Sequence, residues 1–375
     1  MTFHRHFVER DDFSIFVAAP ARPSKDPPPS RIDLLVDRPA PMARALRTRW
    51  YPWIAGLEAL AGAAYLTRRL QSTARDFDPH AIFTVAGSWD WTALVAQRLA
   101  RRLRRPLIAS FNDWHDYGHL PVHPALHQRV ERRFLRFYRE ADLALCTSEG
   151  MRDRLGPHPH AHVWYPSGAL MREESAQFQA RPADSAQPLR VLFAGSLGDW
   201  YGPMLEELVR TADASYPGLS FQIFGSLATW SPAFEQEARR RGIYGGHIPF
   251  PRLQEVALGA DILLLPMGFH PNNAHIESTS FKTKFLDYLS FRRPILVWGP
   301  EYSSAVRVAR EFDSAECVTD ASPAACAAAL SGLARSPARR DQLRARATAM
   351  YHDRFHPERI HQELVDTIRA LVASP

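Results

Sequence analysis

The feature that most constrains the fold is an alternation of short apolar runs with amphipathic stretches, which continues through most of the chain. Short apolar runs bounded by turn residues are typical of buried parallel strands, and apolar residues spaced three or four apart are typical of the helices that cover them. Strands and helices in regular alternation form sheets with helices on both faces. The sequence therefore predicts the α/β class with doubly wound sheets.

This alternation occurs in two halves that are separated by a polar segment. Predicted strands are 13–18, 81–85, 107–111, 143–147 and 162–165 in the first half, and 190–194, 220–224, 262–265 and 294–298 in the second. A length of 375 residues also exceeds what one hydrophobic core usually organises. We therefore expect an N-terminal Rossmann-like domain over 1–172, a linker over 173–188, a C-terminal Rossmann-like domain over 189–345, and a C-terminal helix over 346–375 that packs back.

The beginning of the sequence is unusual for such a domain. A Rossmann-like domain normally opens with a central strand and a glycine-rich turn. Here the first residues, MTFHRHFVERDDF, have a helical pattern instead, so the expected first strand is missing. Two explanations stay open: Met1 is an internal or misassigned start, or the domain lacks this strand.

Composition argues against several classes of protein. With 46% hydrophobic and 23% charged residues, the chain has a globular composition. Its most apolar long stretch, 53–66, contains Glu58 and is shorter than the roughly 18 residues of a membrane-spanning helix. No signal-peptide pattern opens the sequence, so we expect a cytoplasmic protein. The three cysteines have no CxxC spacing and no histidine at ligand spacing, which argues against disulfides and a zinc site.

Two predicted helices of the first half carry a basic face beside an apolar one. Their arginines are Arg98, Arg101, Arg102, Arg104 and Arg105 in one helix, and Arg129, Arg132, Arg133, Arg136 and Arg139 in the other. Such faces suit peripheral contact with an anionic membrane, and an ordinary solvated helix face is the alternative. The net charge of +6 does not decide between them. Because no nucleic-acid-binding motif is present, we expect no nucleic-acid partner.

Lysine is rare in this chain, and two lysines lie close together. Among 46 Lys and Arg residues, only Lys25, Lys282 and Lys284 are lysine. The last two lie in the segment SFKTKFLDYL, which we predict to start a helix with Ser280 as its N-cap. Free amides, the helix dipole and the charge of Lys284 would form an anion site there. An ordinarily capped surface helix is the alternative.

The turn after the predicted strand 190–194 is a second candidate for phosphate binding. The apolar strand LRVLFA runs into Gly195 and Ser196 and then into a helix. Junctions of this form present backbone amides to phosphate groups. A tight turn that requires glycine for its backbone conformation is the alternative.

These segments resemble a known family. The run SFKTKFLDYLSFRRPIL resembles the SFPTK-x-x-[DE]-YL-x-x-x-RPIL signature of bacterial GT-B glycosyltransferases related to family GT4, the glycosyltransferase group 1. ADILLLPMGF, LALCTSEGM and VWYPSG resemble further segments of that family, and the matches extend over most of 76–300. The resemblance implies the GT-B architecture, in which an acceptor-side and a nucleotide-sugar Rossmann-like domain face a central cleft. It also implies a retaining, metal-independent, hexosyltransferase-like enzyme without a cofactor, whose donor substrate is a nucleotide-diphosphate sugar.

The resemblance implies donor-binding roles for five residues. Ser280, Thr283 and Lys284 would contact the donor diphosphate, and Gly195 with Ser196 would approach it from the other side.

Nearby positions match the family less closely. Asp287 occupies the place of the second glutamate in the family's E-x7-E pattern, which would hold the ribose or steady the donor sugar. Thr279 stands where the first glutamate would be, and Glu277 lies two residues before it. Lys282 replaces the usual proline, and it either restores charge near the diphosphate or faces solvent. Tyr201 stands about where relatives often carry a basic residue.

Catalytic candidates follow the predicted strand 107–111, where relatives tend to carry a His-Asp pair. We favour Asp113 as the catalytic carboxylate and His115 as the second choice. A carboxylate there could take the acceptor proton or stabilise developing positive charge. Polar residues that simply cap the following turn are the alternative. The loop 87–90, also after a predicted strand, is assigned to the acceptor side.

These features together predict a retaining glycosyltransferase. It would move a sugar from a nucleotide-diphosphate sugar to a saccharide or lipid-linked acceptor, in bacterial surface polysaccharide or glycolipid assembly at the inner face of the membrane. Two alternatives stay open. One is a non-catalytic GT-B homologue that binds a nucleotide or a partner, and the other is a sugar-nucleotide epimerase or hydrolase.

Overall fold

The chain forms two compact units. A computed structural model describes residues 2–20, 32–36, 44–45, 47–61, 64–87, 91–114, 122–172, 182, 187–198, 200–226 and 229–373. The first unit comprises Met1–Ser167, Thr279–Phe281 and Ile360–Pro375, and the second comprises Gly168–Ser278 and Lys282–Arg359. The predicted linker, 173–188, lies mostly outside the described residues.

The first unit opens with a short helix and a small pair of strands. These are α1 (Thr2–Phe7) and the parallel strands β1 (Ala18–Pro20) and β2 (Leu34–Val36). The predicted strand at 13–18 is wrong, because residues 14–17 have no regular secondary structure. The Asp33 carboxylate accepts a hydrogen bond from the Val17 amide at 2.7 Å, so strand pairing begins only at the next residue.

The main sheet of the first unit is parallel and four-stranded. Its elements are α2 (Tyr51–Ala61), α3 (Ala64–Phe77), β3 (Ile82–Ala86), α4 (Thr92–Leu103), β4 (Leu107–Phe111), α5 (Pro124–Arg139), β5 (Leu143–Cys146), α6 (Glu149–Leu155) and β6 (Ala161–Val163). The spatial order is β3-β4-β5-β6. Phe111 packs edge-on against Phe134 and Tyr138 in the core. All four predicted strands after the first are confirmed to within two residues at each end.

The second unit contains a five-stranded parallel sheet. Its elements are β7 (Leu189–Ala194), α7 (Gly202–Ser215), β8 (Leu219–Phe224), α8 (Pro232–Arg240), α9 (Phe250–Leu258), β9 (Ile262–Pro266), α10 (Ala274–Thr279, whose last residue clusters with the first unit), α11 (Thr283–Ser290), β10 (Ile295–Trp298), α12 (Ser304–Glu311), β11 (Glu316–Val318), α13 (Pro323–Arg335) and α14 (Pro337–Met350). The spatial order is β11-β10-β9-β7-β8. The chain therefore winds first to one side of β7 and then to the other. Open α/β sheets bind ligands at the carboxyl ends of strands where this direction reverses, which here is between β7 and β9.

Side-chain caps explain why several helices begin where they do. Ser148 accepts a hydrogen bond from the Met151 amide at 3.0 Å and starts α6. Ser231 accepts one from the Phe234 amide, and Pro232 follows it as the first residue of α8. Each serine satisfies an amide that has no partner inside its helix.

The C-terminal helix, α15 (Pro357–Ala373), packs back on the first unit as predicted. It begins at Pro357 rather than at 346, because the residue before a proline avoids the helical conformation and His356 is extended. His361 in α15 contacts the Asp12 carboxylate at 2.9 Å and the His6 ring nitrogen at 3.2 Å. Among the described residues, no helix combines the length and apolar character needed to cross a membrane.

Candidate functional site

The helix that carries the two lysines begins later than the sequence predicts. Its N-cap is Lys282, in extended conformation and without a side-chain capping bond, and Thr283 is the first helical residue. The prediction that Ser280 caps this helix is therefore wrong. The Ser280 hydroxyl instead donates a 2.7 Å hydrogen bond to the Asp113 carboxylate within the first unit. A hydroxyl has one proton to donate, so this bond competes with a role for Ser280 as a donor to phosphate.

Lys284 lies where β7 ends, at the reversal point of the second sheet. Its ammonium is 4.2 Å from the centre of the Phe193 ring and 5.7 Å from that of Tyr201. A Cβ atom added to Gly195 would lie 1.8 Å from the Lys284 ammonium, so this close approach requires glycine. The structure thus brings Gly195 and Lys284 together, as the resemblance implies.

The charge of Lys284 is poorly compensated in this setting. The side chain is partly exposed, and among the described residues it forms no ion pair. Burial, followed by repulsion from Lys282, lowers the pKa of Lys284 to about 7. A neighbouring anion would favour the protonated form and raise this pKa. The position can therefore attract a phosphate group near neutral pH.

Lys282 has a different environment, because a buried carboxylate balances its charge. Its ammonium lies 3.2 Å from Glu277 Oε2, and the Glu277 side chain is fully buried. The other oxygen, Oε1, accepts hydrogen bonds from the Gly268 amide at 2.9 Å and the Tyr201 hydroxyl at 3.2 Å. Burial acts to lower the pKa of Lys282, yet Tyr201 and Glu277 outweigh it and raise that pKa. Lys282 therefore faces the interior of the second unit rather than solvent.

Two backbone contacts fix the turn after β7. The amides of Gly195 and Leu197 bond to the carbonyls of Phe224 and Ser226 at 2.9 and 3.0 Å, so neither is free to bind phosphate in this arrangement. Ser196, between them, is exposed. The Ala194 amide donates to the Tyr288 hydroxyl at 3.0 Å, which ties the end of β7 to α11. The turn is thereby held beside the helix that carries Lys284.

Asp287 serves a structural contact. Its Oδ1 accepts a 3.0 Å hydrogen bond from the Ala169 amide, and the residue is buried. Gly168 permits this contact, since a Cβ atom there would lie 2.8 Å from Leu286. The predicted role of Asp287 toward the donor sugar remains a prediction.

The first unit contains the other predicted polar residues. Asp113 follows β4 and accepts the Ser280 hydroxyl, while the neighbouring Asn112 side chain accepts from Ser110 at 2.8 Å. The Ser148 hydroxyl donates to the Thr279 carbonyl, so Thr279 contributes its backbone here. His115 and residues 88–90 lie outside the described residues.

Glu277 and Tyr201 are more important to this site than the sequence pattern indicates. The pattern places Thr279 at the position of the first glutamate, although the buried carboxylate of this region belongs to Glu277. A signal was available: Glu277 is the single acidic residue in the segment 267–286 that follows the carboxyl end of β9, where ligand-binding residues of parallel sheets gather.

Comparisons with known proteins agree with this fold. Residues 2–167 match the model of the family described as Glycosyltransferase Family 4. No curated protein sequence matches the chain. The structure is similar to HepE from Anabaena in complex with UDP, at 15% identity and a TM-score of 0.62, covering 82% of this chain and 82% of that chain. It is also similar to a glycosyltransferase from Rickettsia africae, at 10% identity and a TM-score of 0.60, covering 91% and 86%.

A third similar structure is described as trehalose-6-phosphate from E. coli bound with UDP-2-fluoro glucose. Its identity to this chain is 11% and its TM-score is 0.60, with 96% of this chain and 92% of that chain covered. At such low identities the likeness establishes the fold, and the family match adds the relationship of the first 167 residues. The chain therefore has the GT-B fold, and its residues 2–167 are related to the glycosyltransferases of family 4.

Proposed function

We propose that the protein is a retaining glycosyltransferase that moves a sugar from a nucleotide-diphosphate sugar to a saccharide or lipid-linked acceptor. Its role would be in bacterial surface polysaccharide or glycolipid assembly, with peripheral contact at the inner face of the membrane. The family match over residues 2–167 and the GT-B fold support glycosyl transfer.

The observation that carries the proposal is the setting of Lys284. An ammonium with no ion pair among the described residues lies at the reversal point of a parallel sheet, beside a glycine that leaves space for it. Binding a diphosphate there would supply the missing negative charge. We assign Lys284 and Gly195 to the donor diphosphate, with Thr283 and Ser196 as neighbouring contacts.

We propose UDP-sugars as the first donors to test. HepE from Anabaena was solved with UDP, with UDP and glucose, and with UDP-glucose. Thermal unfolding in the presence of UDP-, GDP-, dTDP- and ADP-sugars should show stabilisation by one nucleotide class, because a ligand that binds only the folded state raises its stability. No stabilisation by any of the four classes would refute the donor assignment.

Asp113 is our proposed catalytic carboxylate. It would take the acceptor proton or stabilise the positive charge that develops on the sugar. We further propose that no metal or other cofactor takes part, since the lysine supplies positive charge toward the diphosphate. Transfer should then continue unchanged in the presence of EDTA.

A specific observation favours a second candidate, a non-catalytic homologue that binds nucleotide. Both oxygens of Glu277 are engaged inside the second unit, and Thr279 has no carboxylate to offer a donor sugar. Such a protein would be stabilised by a nucleotide, yet it would release no nucleotide diphosphate when donor and acceptor are both supplied. The enzyme would do both.

A further inference from the structure

The helix α2 and the turn before it expose an unusual concentration of large apolar side chains. The described residues expose nine such side chains, and four of them lie within residues 50–57. They are Trp50 (55% exposed), Tyr51 (37%), Trp53 (36%) and Leu57 (55%). We call these four residues the aromatic surface. The stretch 53–66, which the sequence marked as the most apolar of the chain, overlaps it.

The opposite face of α2 is packed, so the aromatic surface is held by folded structure. Ala59 is buried against Val122, Leu126 and Val130, the last two of which belong to α5. A Cβ atom added to Gly56 would lie 2.5 Å from the Leu126 side chain, so α2 and α5 approach each other closely at this point.

The start of α2 is fixed as well. The Pro52 carbonyl accepts a 3.0 Å hydrogen bond from the His123 amide, and the Trp53 ring stacks on the His123 ring at 4.0 Å. The turn before α2 and the helix itself therefore expose Trp50 and Leu57 from an anchored position.

The surroundings of the aromatic surface are strongly basic. Residues 44–61 contain three arginines and a single acidic residue, Glu58, which is buried. Arg44, Arg47 and Arg49 are exposed just before α2, and the Arg49 guanidinium lies 5.4 Å from the centre of the Trp50 ring. Among the described residues, these three arginines form no ion pair. Apolar side chains beside such arginines suit a partner whose surface is anionic and whose interior is apolar.

The basic faces of α4 and α5 are continuous with this region. Arg98 in α4 donates a hydrogen bond to the Ala61 carbonyl at the end of α2. In α5, which packs against α2, Arg129, Arg132 and Arg136 are exposed. The arginine faces and the aromatic surface thus belong to one region of the first unit.

We propose that the aromatic surface is the site at which this protein docks on an anionic lipid bilayer. Tryptophan and tyrosine prefer the headgroup level of a bilayer, and flanking arginines bind anionic headgroups. A helix of 11 residues is only about 16 Å long, so α2 lies in the interface and does not span it. A second copy is a poor occupant, because a symmetric contact through this face would bring the arginines of both copies together.

The inference rests on the peripheral membrane contact proposed above and not on the transfer reaction. Sedimentation with vesicles tests it. The wild-type chain should bind vesicles of phosphatidylcholine mixed with phosphatidylglycerol, bind pure phosphatidylcholine vesicles far less, and dissociate when salt is raised to about 0.5 M. Trp50→Ser/Leu57→Ser should weaken binding to the mixed vesicles by about tenfold or more.

A matched control is Leu258→Ser/Tyr302→Ser in the second unit, where both side chains are also exposed. It should bind vesicles as the wild type does. Since all four positions are exposed, both double variants should fold, and their thermal unfolding should match that of the wild type. Brominated lipids provide an independent readout, because they should quench fluorescence of the wild type and not of Trp50→Phe/Trp53→Phe.

Three results would overturn the proposal. They are no vesicle binding by the wild type, equal binding by Trp50→Ser/Leu57→Ser, and a wild-type dimer that this variant dissociates. Failure here is distinguishable from failure of the proposed function, because nucleotide stabilisation of the same variants should remain that of the wild type.

Discussion

Lys282 and Lys284 are two residues apart, yet within the second unit a buried carboxylate neutralises the charge of Lys282 and no described carboxylate pairs with Lys284. Lys282 is paired with the buried Glu277 at 3.2 Å. Lys284 faces the rings of Phe193 and Tyr201, and its pKa is lowered to about 7. The comparison indicates that Lys282 holds the structure of the unit together, whereas Lys284 is available to an anion. Substitutions of the two residues should therefore have different consequences.

The largest expected effect is on stability, from Lys282→Met. This change leaves Glu277 buried without a cation, which should lower the free energy of unfolding by about 3 kcal/mol. Urea-induced unfolding measures it. The double variant Lys282→Met/Glu277→Gln should recover part of the loss, because it removes the buried negative charge as well. If the single variant were as stable as the wild type, the pairing would have no structural role.

Lys284→Met should instead act on binding. Loss of a charge-assisted contact with the diphosphate should weaken UDP affinity by about 2 kcal/mol, which is roughly thirtyfold. Titration calorimetry measures it. Without ligand this variant should be no less stable than the wild type. Folding lowers the pKa of Lys284 from 10.5 to about 7, so its charge destabilises the folded state fully below pH 7. This loss of stability decreases as the pH rises from about 7 to 10.5. If Lys284→Met were less stable than the wild type but bound UDP equally well, Lys284 would have a structural role and no role in binding.

A smaller effect is expected from Gly195→Ala. The new Cβ would displace the Lys284 ammonium, which can move because it ends a flexible side chain. Affinity for UDP should fall about tenfold while stability changes little. Gly332→Ala in α13 is the matched control, since nothing lies within 4 Å of its added Cβ. If the wild type and Gly195→Ala bound UDP with equal affinity, the turn at Gly195 would not be part of the nucleotide site.

The fold could be predicted where local pattern decides it. The strand Leu107–Phe111 matches its prediction at both ends, because five buried apolar or small residues lie between clear turn signals. The strand predicted at 13–18 was wrong, since the Asp33 side chain binds Val17 there. The three-residue strand β11 was not predicted, because Glu316–Val318 is too short to show a period.

The site was harder to predict because its contacts are distant in sequence. The segment around Lys284 was found from its composition and its resemblance to family GT4. The hydroxyl of Ser280, however, binds Asp113, 167 positions away, and no local rule reveals that its expected cap is absent. Likewise the sequence leaves Lys282 either facing solvent or restoring charge near the diphosphate, and only the position of Glu277 shows that it faces the interior of the unit. The sequence pattern is enough to identify the two lysines, but only tertiary contacts show that the charge of Lys282 is neutralised by Glu277.

The central claim is that Lys284 receives the negative charge of a nucleotide diphosphate. The most direct test is to count protons taken up on UDP binding at pH 8, by calorimetry in buffers of different ionisation enthalpy. With a pKa of about 7 in the free protein, Lys284 is mostly neutral at pH 8, and a bound diphosphate should raise that pKa. We expect uptake of about one proton per UDP, an affinity that falls as pH rises above 7, and no uptake in Lys284→Met. UDP binding without proton uptake in the wild type, or with the same uptake in Lys284→Met, would contradict it.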